Sequence, residues 1–340
     1  MRRVLPGLLM LAVVLAGALG DAEANFHLMI IEEVYPGSHL HPDAQYVVLR
    51  TTAAGQNVLT GHNIRTYDAA GVPLADFGVF NRNPTNIASG ARYIMATPAA
   101  VTLFQFTATT VVTGTLPFPD GRICFDEFLG TLIDCVAYGA FTGVNTNYGT
   151  PAPALQRQKA LKRIRTATPR NNSTDYAIGA PGPIDETNLA RPDGDGDGIP
   201  NITDCAAADA GAYLRPLEVT NLAVGRVPDG LGGFTTSLTW DSQALLVGPS
   251  TVYDVVFQDL SGSATPPPYT TAACLAPNLA LPATPDPSID PSGGAARIYL
   301  ARAGNVCGDG TYGNFNPGSA PAPPPDPRDT LDAPATTPCP

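Results

Sequence analysis

The stretch Asp193-Gly194-Asp195-Gly196-Asp197-Gly198-Ile199-Pro200-Asn201-Ile202-Thr203-Asp204 separates two halves of this 340-residue chain, each of which contains a series of short strand-like segments. Aspartate alternates with glycine, which is the order of an oxygen-rich calcium loop. The carboxylates of Asp193, Asp195 and Asp197 would supply loop positions one, three and five. Gly198 falls at position six, where the chain must turn sharply and a side chain would collide. The spacing therefore predicts a calcium site between the two halves.

The second part of the loop would complete the ligand set. Ile199 would bind through its carbonyl oxygen, Asn201 directly or through water, and Asp204 at position twelve. Asp204 is shorter than the glutamate of an EF-hand loop, and prolines flank the stretch, so a helix–loop–helix switch is not expected. Ca²⁺ suits the loop because it takes hard oxygen ligands in a flexible geometry. The alternative interpretation is a flexible acidic linker that holds no ion.

Residues 193–209 resemble the calcium repeats of thrombospondin type 3. They resemble even more the short metal-binding motif of bacterial secreted proteins, in which Asp/Gly alternation is followed by Asp-Cys, a further Asp and a Tyr. Those last positions are Asp204-Cys205, Asp209 and Tyr213 in this chain. The resemblance adds Asp209 to the candidate ligands. It also implies that a single copy rigidifies the connection between domains and does not buffer calcium.

The composition favours short strands joined by turns. The chain has 34 glycines and 35 prolines, and only 14% of its residues are charged. That many helix breakers limits long helices, and the length fits two domains better than one. A net charge of −11 argues against general nucleic-acid binding. Only four histidines are present, which disfavours most histidine-based catalytic and metal-hydrolase sites.

The N-terminus predicts export. Arg2 and Arg3 precede an apolar run over residues 4–19, and Ala22-Glu23-Ala24 follows as a cleavage site. We therefore expect a signal peptide over residues 1–24 and a secreted protein, extracellular or retained in the periplasm or at the cell surface. The alternative, an uncleaved membrane anchor, is disfavoured because the run is short and interrupted. No later segment is apolar and long enough to span a bilayer.

Six cysteines in an exported chain indicate disulfides. Cys124 and Cys135 bracket a turn-like segment and would join two strands of a hairpin. Cys274 and Cys307 lie inside the last domain and would form a second pair. Cys205 and Cys339 then remain by parity and would tie the C-terminus to the calcium loop. Six cysteines allow 15 pairings, so beyond the first pair the connectivity is open.

The first half predicts an antiparallel β-sandwich. Its candidate strands are rich in β-branched and aromatic residues and are bounded by turn residues. They cover residues 26–34, 45–51, 57–67, 74–80, 92–95, 122–125 and 133–138. Residues 25–188 resemble a lamin-tail-like (LTD) domain, through 31–34, 45–49, 59–67, 134–139, 155–165 and 172–188; residues 90–117 fit less well. The resemblance implies an immunoglobulin-like β-sandwich used for attachment or display, with no catalytic residues.

A second β-sandwich is predicted beyond the linker, which covers residues 189–214. Alternating segments at 216–224, 235–240, 252–257 and 296–302 indicate strands, and a last strand is expected to open within 308–313. Residues 215–315 resemble a fibronectin type III domain through Leu222, Trp240, Tyr253 and the run 299–303. We expect these aromatic residues to be core residues. The tail over residues 316–340 is rich in proline and alanine and is expected to be extended or disordered, apart from Cys339. The predicted fold class is thus all-β, with two immunoglobulin-like sandwiches joined by a calcium-binding loop.

A basic cluster precedes the linker. It contains Arg157, Lys159, Lys162, Arg163, Arg165 and Arg170 and no acid. It could bind an anionic polysaccharide, nucleic acid or phosphate surface. The alternative is a solvated strand edge that discourages edge pairing, which we favour because no aromatic residues interleave to stack bases.

The sequence lacks the common catalytic motifs. It contains no Gly-x-Ser-x-Gly elbow, Walker loop or His-Glu-x-x-His motif. His39-Leu40-His41 is interpreted as a polar turn, and Asp126-Glu127 as a solvated hairpin loop. The predicted function is a secreted, non-enzymatic modular protein for extracellular adhesion or display, with a polysaccharide or protein ligand and no nucleic-acid partner. The alternatives are accessory modules of an exported hydrolase with an unrecognised site, and a structural component of an envelope or matrix.

Overall fold

The computed structural model describes residues 27–126, 131–166, 168–228, 230, 232–261, 269, 271–288, 291, 293–313, 328–332 and 339. The predicted signal peptide, the turn between Cys124 and Cys135, and most of the proline-rich tail lie outside these residues. The described residues form mostly antiparallel sheets with a few short helices, so the predicted all-β class is confirmed.

The described residues of the first half form ten strands and two short helices. The strands are β1 (Met29–Tyr35), β2 (Tyr46–Thr51), β3 (Asn63–Tyr67), β4 (Gly78–Val79), β5 (Arg92–Ala96), β6 (Thr110–Val111), β7 (Gly121–Asp126), β8 (Leu132–Tyr138), β9 (Ala160–Arg163) and β10 (Tyr176–Gly179). The helices are α1 (Pro98–Phe104) and α2 (Asn172–Asp175).

These strands form two sheets around a shared core. One sheet has the order β10-β9-β1-β2-β5-β6 and the other β4-β3-β7-β8, and only β5 and β6 pair in parallel. Ile31, Val47 and Tyr93 of the first sheet and Ile64 and Phe125 of the second lie in one buried cluster. Alternation of side chains along each strand places these residues on the inner faces.

A bulge in β1 changes which side chains face this core. The register with β2 shifts between Ile31 and Glu33, which inserts one extra residue. Ile31 and Val34 therefore both lie in the shared core, whereas Tyr35 lies in a second cluster with Tyr46 of β2. The six-stranded sheet is thus buried on both faces.

Helix α1 covers part of that outer face. Its N-cap is Thr97, whose hydroxyl accepts a hydrogen bond from the Ala100 N–H, and Pro98 follows at a position that needs no amide donor. Gln105 ends the helix in the left-handed conformation, at a φ of 50°. Phe104 packs edge-on against Tyr35 and Tyr46, with ring centroids 5.2 Å from each. The helix lies within residues 90–117, the segment that fits a lamin-tail-like domain less well.

The second half also contributes two sheets to one core. Its elements are β11 (Ala223–Pro228), β12 (Phe234–Thr239), α3 (Ala244–Val247), β13 (Val252–Ser261), β14 (Ala273–Leu279), β15 (Ala283–Asp286), β16 (Ala295–Asn305), β17 (Gly308–Asp309) and α4 (Asp329–Asp332). The sheet orders are β11-β12-β15 and β14-β13-β16-β17. Trp240 is 6% exposed and packs against Tyr253 at 5.5 Å, as expected for core aromatics.

Most predicted strands are present, with different ends. The strand predicted at 216–224 is wrong over most of its length, because β11 begins only at Ala223 and residues before it form the approach to the sheet. Strands β6, β10, β14 and β15 and the four short helices were not predicted.

The disulfides correct part of the predicted connectivity. Cys124 pairs with Cys135 across β7 and β8, as expected. Cys205 pairs with Cys307, and Cys274 with Cys339, so the other two predicted pairs are wrong. Cys307 lies in the β16–β17 turn, which the side chain of Asn305 holds beside the linker through the carbonyl of Leu214 at 2.9 Å. The three disulfides are compatible with an extracellular location.

Within the described part of the chain, no helix is long and apolar enough to cross a membrane.

Candidate metal centre

The acidic loop follows the first half directly and depends on glycine for its shape. Gly196 and Gly198 have φ angles of 79° and 96°, in the left-handed region that other residues rarely adopt. A Cβ atom on Gly198 would also collide with Gln158, on the segment before β9. Glycine is therefore required at this turn, as predicted, for two reasons: the left-handed backbone conformation and the lack of space for a side chain.

Backbone amides fix the carboxylates of the loop. The N–H groups of Gly196 and Gly198 donate to the two oxygens of Asp193, both at 2.7 Å. The Asp195 Oδ1 atom accepts from the Asp197 N–H at 3.2 Å, and the Asp197 Oδ1 atom accepts from the Ile199 N–H at 2.8 Å. Each of the three aspartates offers an oxygen that lies within 4.8 Å of the other two.

Within the described part of the chain, three carboxylate oxygens in this loop are buried and have no hydrogen-bond partner. They are Oδ2 of Asp195, Oδ2 of Asp197 and Oδ2 of Asp204. Asp197 is only 7% exposed, so water does not solvate its free oxygen well. Buried polar atoms in folded proteins nearly always have a partner, and an anionic oxygen without one is costly. Three such atoms in one loop could be neutralised by a bound cation.

The electrostatics of the loop lead to the same conclusion. Burial, followed by hydrogen-bond and charge interactions with Asp195, raises the pKa of Asp193 to about 6. Burial and the charges of Asp195, Asp193 and Asp204 raise the pKa of Asp197 to about 7. The pKa of Asp204 is raised by burial and by the charges of Asp195 and Asp209. A cation in the loop would remove the repulsion that these shifts express.

The donor set fits a hard divalent cation. Only oxygens are offered, which suits Ca²⁺ or Mg²⁺ and disfavours metals that prefer sulfur or nitrogen. The structure brings Asp193, Asp195 and Asp197 together, with Asp204 close enough to act on the pKa of Asp197. Ile199 is buried, and its carbonyl stays a predicted ligand.

Two predicted ligands already have partners within the loop region. The Asn201 Oδ1 atom accepts from the Gly194 N–H at 2.6 Å, and the Asp209 Oδ1 atom accepts from the Gly211 N–H at 2.9 Å. Both side chains are exposed. Asn201 closes the loop on itself, and Asp209 stabilises the turn after Cys205; their roles as ligands stay predictions.

The loop is attached to the first half by buried contacts. The Tyr35 hydroxyl donates to the Gly198 carbonyl at 2.9 Å, and the Lys159 ammonium donates to the Gly196 carbonyl. The side chain of Ile199 is 1% exposed and lies in the cluster that covers the outer face of the six-stranded sheet. The loop is therefore a packed part of the first half.

The end of the linker is attached to both halves. Tyr213 lies in the same cluster as Ile199, yet its hydroxyl donates to the Leu245 carbonyl at 2.8 Å and its N–H donates to the Val247 carbonyl at 3.1 Å. The Cys205–Cys307 disulfide adds a covalent connection to the second half. A cation bound in the loop would therefore lie where it affects how the two halves are held together. In the sequence, Tyr213 stands out only as the last residue of the metal-binding motif.

The basic cluster does not form a strand edge. Strand β9 lies between β10 and β1, so the interpretation of residues 157–170 as an exposed edge is wrong. Arg163 and Arg170 both bind the buried Asp134, each at 2.6 Å. Lys162 lies 3.4 Å from Glu33. Half of the cluster therefore neutralises carboxylates that are distant in sequence.

The remaining candidate residues from the sequence are the acidic pair at the end of β7 and the two histidines near β1. Asp126 was expected in a solvated loop, but it is fully buried at the end of β7 and pairs with Arg65. Glu127 lies outside the described residues. His39-Leu40-His41 forms a turn, closed by a hydrogen bond of 3.1 Å from the Ser38 N–H to the His41 carbonyl, as predicted.

Two of the clefts beside the linker share Leu245. One has a volume of 390 Å³ and lies between residues 156–159, the acidic loop and α3. The other has a volume of 800 Å³ and is lined mainly by apolar residues that include Leu214, Leu217 and Leu246.

Comparison of this chain with known protein families, with curated proteins and with solved structures gives no match. The function is therefore inferred from the residues of this chain alone.

Proposed function

We propose that this chain is an exported, non-enzymatic modular protein whose two strand-rich halves are held in a fixed relation by Ca²⁺ in the acidic loop. Its role is extracellular adhesion or display toward a polysaccharide or protein ligand. The observation that carries the proposal is the set of three buried carboxylate oxygens that have no hydrogen-bond partner among the described residues, in a loop packed against the first half. Calcium would supply their partner and cancel the repulsion among clustered aspartates.

The loop is suited to act as a spacer and not as a switch. Its backbone is fixed by four hydrogen bonds to its own aspartates, and its glycines meet neighbouring backbone closely. Ile199 anchors it to the first half, and the Cys205–Cys307 disulfide anchors it to the second. Loss of the ion would leave the disulfide in place and loosen the contacts with the first half.

The shared core between two sheets in each half supports an interpretation as two β-sandwiches. For the first half this agrees with the lamin-tail-like resemblance, and for the second half with the fibronectin type III-like resemblance. Domains of this kind present surfaces and loops on a rigid frame.

The buried acids of the first half support a structural interpretation over a catalytic one. Asp134 is neutralised by two arginines, and Asp126 by Arg65. The Glu33 carboxylate accepts from the Tyr46 hydroxyl at 2.6 Å. These groups have fixed partners in the core and do not project free oxygens into a cleft.

The proposal is tested by calorimetry and scattering on the purified chain. Titration with CaCl₂ should release or absorb heat with saturation near one ion per chain. Removal of the ion with a chelator should lower the melting temperature and increase the radius of gyration measured by X-ray scattering. No heat, together with unchanged melting and size, would refute the calcium spacer. A glycan array and surface pull-down that stay blank with and without Ca²⁺ would refute the adhesion role.

A further inference from the structure

The 390 Å³ cleft beside the acidic loop collects chemically distinct groups from three segments. Arg157 and Lys159 come from the segment before β9, Asp197 from the loop, and Leu245 from α3. A volume of this size is within the range of small-molecule sites, which start at about 300 Å³. The cleft lies between the halves, a common position for binding sites in proteins.

The two cations in this cleft differ from three other members of the basic cluster. Lys162, Arg163 and Arg170 each have a carboxylate partner, as described above. Arg157 donates to the carbonyl oxygens of Pro36 and Pro42, and Lys159 donates to that of Gly196. Among the described residues, neither cation has an ion pair.

The position of Arg157 is fixed in advance of any ligand. Its guanidinium lies over the Phe118 ring at 4.2 Å from the centroid, and it is held by the two carbonyl bonds. A guanidinium with part of its donors already engaged can still offer the remaining N–H groups to a carboxylate. Preorganisation of this kind lowers the entropic cost of binding.

The remaining lining groups suit a sugar ring. Gln156 is exposed beside the cations and offers an amide that can bind a hydroxyl group. Leu245 is 68% exposed and offers an apolar surface for the C–H face of a ring. Both positive charge and mixed polar and apolar contacts are therefore available within one small site.

We propose that this cleft binds a carboxylate-bearing monosaccharide unit of the hexuronic acid class, with the carboxylate on Arg157 and Lys159 and the ring against Leu245. This proposal assigns a ligand class to the adhesion role. Its calcium dependence rests on the proposed function, because it needs a cation in the acidic loop. Asp197 borders the same cleft, and its charge repels an anion unless a cation in the loop neutralises it. Binding of the sugar acid is therefore strengthened by calcium.

The test uses calorimetry of the full chain with three ligands that differ at one group. D-galacturonate should bind, whereas its neutral methyl ester and D-galactose should bind at least about tenfold more weakly, because they lack the carboxylate that pairs with the two cations. The ligand series changes no protein residue, so it does not depend on the folding of a variant. Equal affinity for the three ligands would overturn the proposal.

Protein variants locate the site. Arg157→Gln and Lys159→Gln should each weaken galacturonate binding by roughly tenfold. The matched control is Arg165→Gln, because Arg165 belongs to the same basic cluster, is exposed and does not line the cleft. It should bind galacturonate as the unmodified chain does. A loss in Arg165→Gln equal to that in the other two variants would place the binding outside the cleft and overturn the proposal.

Calcium separates this proposal from the previous one. If CaCl₂ produces heat and galacturonate does not bind, the cleft proposal is overturned and the calcium spacer stands. If galacturonate binds with the expected ligand and variant pattern although CaCl₂ produces no heat, the cleft proposal stands and the calcium spacer is refuted. If both bind, the galacturonate affinity should fall when the chelator is added.

Discussion

The Tyr35 hydroxyl donates a hydrogen bond to the Gly198 carbonyl at 2.9 Å, although the two residues are 163 positions apart in the chain. Gly198 is the turn glycine of the acidic loop, and Tyr35 ends β1 of the six-stranded sheet. The tyrosine ring is buried between Tyr46 and Phe104, at 5.2 Å from each. This bond therefore connects the core of the first half directly to the candidate metal centre.

Tyr35→Phe should loosen the loop without disturbing the aromatic cluster. The substitution keeps the ring but leaves the buried Gly198 carbonyl without its donor, at a cost of about 1–3 kcal/mol. Hydrogen–deuterium exchange should increase over residues 193–204. The matched control is Tyr93→Phe, which removes a bond of 2.6 Å to the Asn86 carbonyl far from the loop. Equal exchange of the loop in both variants would contradict a specific role of Tyr35.

Asp197→Asn should have effects of opposite sign with and without calcium. In chelator, the variant should be more stable than the unmodified chain by about 1 kcal/mol or more, because one of several repelling charges is gone. In calcium it should be less stable, because a ligand charge is lost. Thermal unfolding of both proteins, in chelator and in calcium, measures this reversal of their relative stability. The control is Asp43→Asn, which alters an exposed carboxylate of the first half and should leave the stability in chelator and in calcium unchanged. A decrease in the stability of Asp197→Asn in chelator would contradict repulsion among the aspartates.

The spacing of Asp193, Asp195 and Asp197 was sufficient to predict their meeting, because alternate positions of one tight loop are close for purely local reasons. The docking of the loop was not predictable. Nothing in the sequence around Tyr35 or Tyr213 identifies their hydrogen-bond partners, because those partners are brought near only by tertiary packing. Helix α1 was missed because seven residues are too few to show a repeating helical pattern of apolar residues, although Thr97-Pro98 is a recognisable start signal.

The basic cluster shows why charge in a sequence is ambiguous. Arg163 has the appearance of a solvated residue because no acid lies near it in the chain. Its partner Asp134 precedes it by 29 residues and meets it only when β9 packs beside β1. The disulfide error has a similar cause, since Cys307 reaches Cys205 only through the turn after β16.

Removal of the Cys205–Cys307 disulfide should cost more stability than removal of Cys124–Cys135. The two bonds close loops with sequence separations of 102 and 11 residues. The chain-entropy relation gives about 5 kcal/mol for the longer loop and about 3 kcal/mol for the shorter one. Double Cys→Ala variants at each pair, compared by urea unfolding, measure the difference. Peptide mapping without reduction should first recover Cys205 with Cys307 and Cys274 with Cys339; a Cys274–Cys307 peptide would contradict the fold.

Asp134→Asn should be among the most destabilising single substitutions in the first half. Asp134 is 0% exposed, and the side chain of Arg163 is 2% exposed, so the variant leaves a buried guanidinium without its counterion. Loss of one partner from a buried pair costs about 3–5 kcal/mol. Asp259→Asn provides the comparison, because the Asp259 side chain is 51% exposed in its pair with Arg297 and should cost less than about 1 kcal/mol. Similar urea midpoints for the two variants would contradict this account.

Asp286 gives the second half a defined response to acid. Burial alone would raise the pKa of Asp286, but hydrogen bonds from Ser288, Tyr299 and Arg297 outweigh burial and hold it below 3.8. Two of these bonds reach one carboxylate oxygen, from the Tyr299 hydroxyl at 2.8 Å and the Arg297 guanidinium at 2.9 Å. They connect β15 to β16, which belong to different sheets.

Since the pKa of Asp286 is lower in the folded than in the unfolded chain, its contribution to stability is present above about pH 4 and is lost as the pH falls through the folded value. Asp286→Asn should therefore be destabilised by about 1.5–3 kcal/mol at pH 7, the range for hydrogen bonds to a charged group. The difference from the unmodified chain should shrink between pH 4 and pH 2, because protonation removes the same charge from Asp286. Urea unfolding across this range, followed by the fluorescence of the core Trp240, measures the effect. A difference that stays constant down to pH 2 would mean that the side chain acts through its shape and not through its charge.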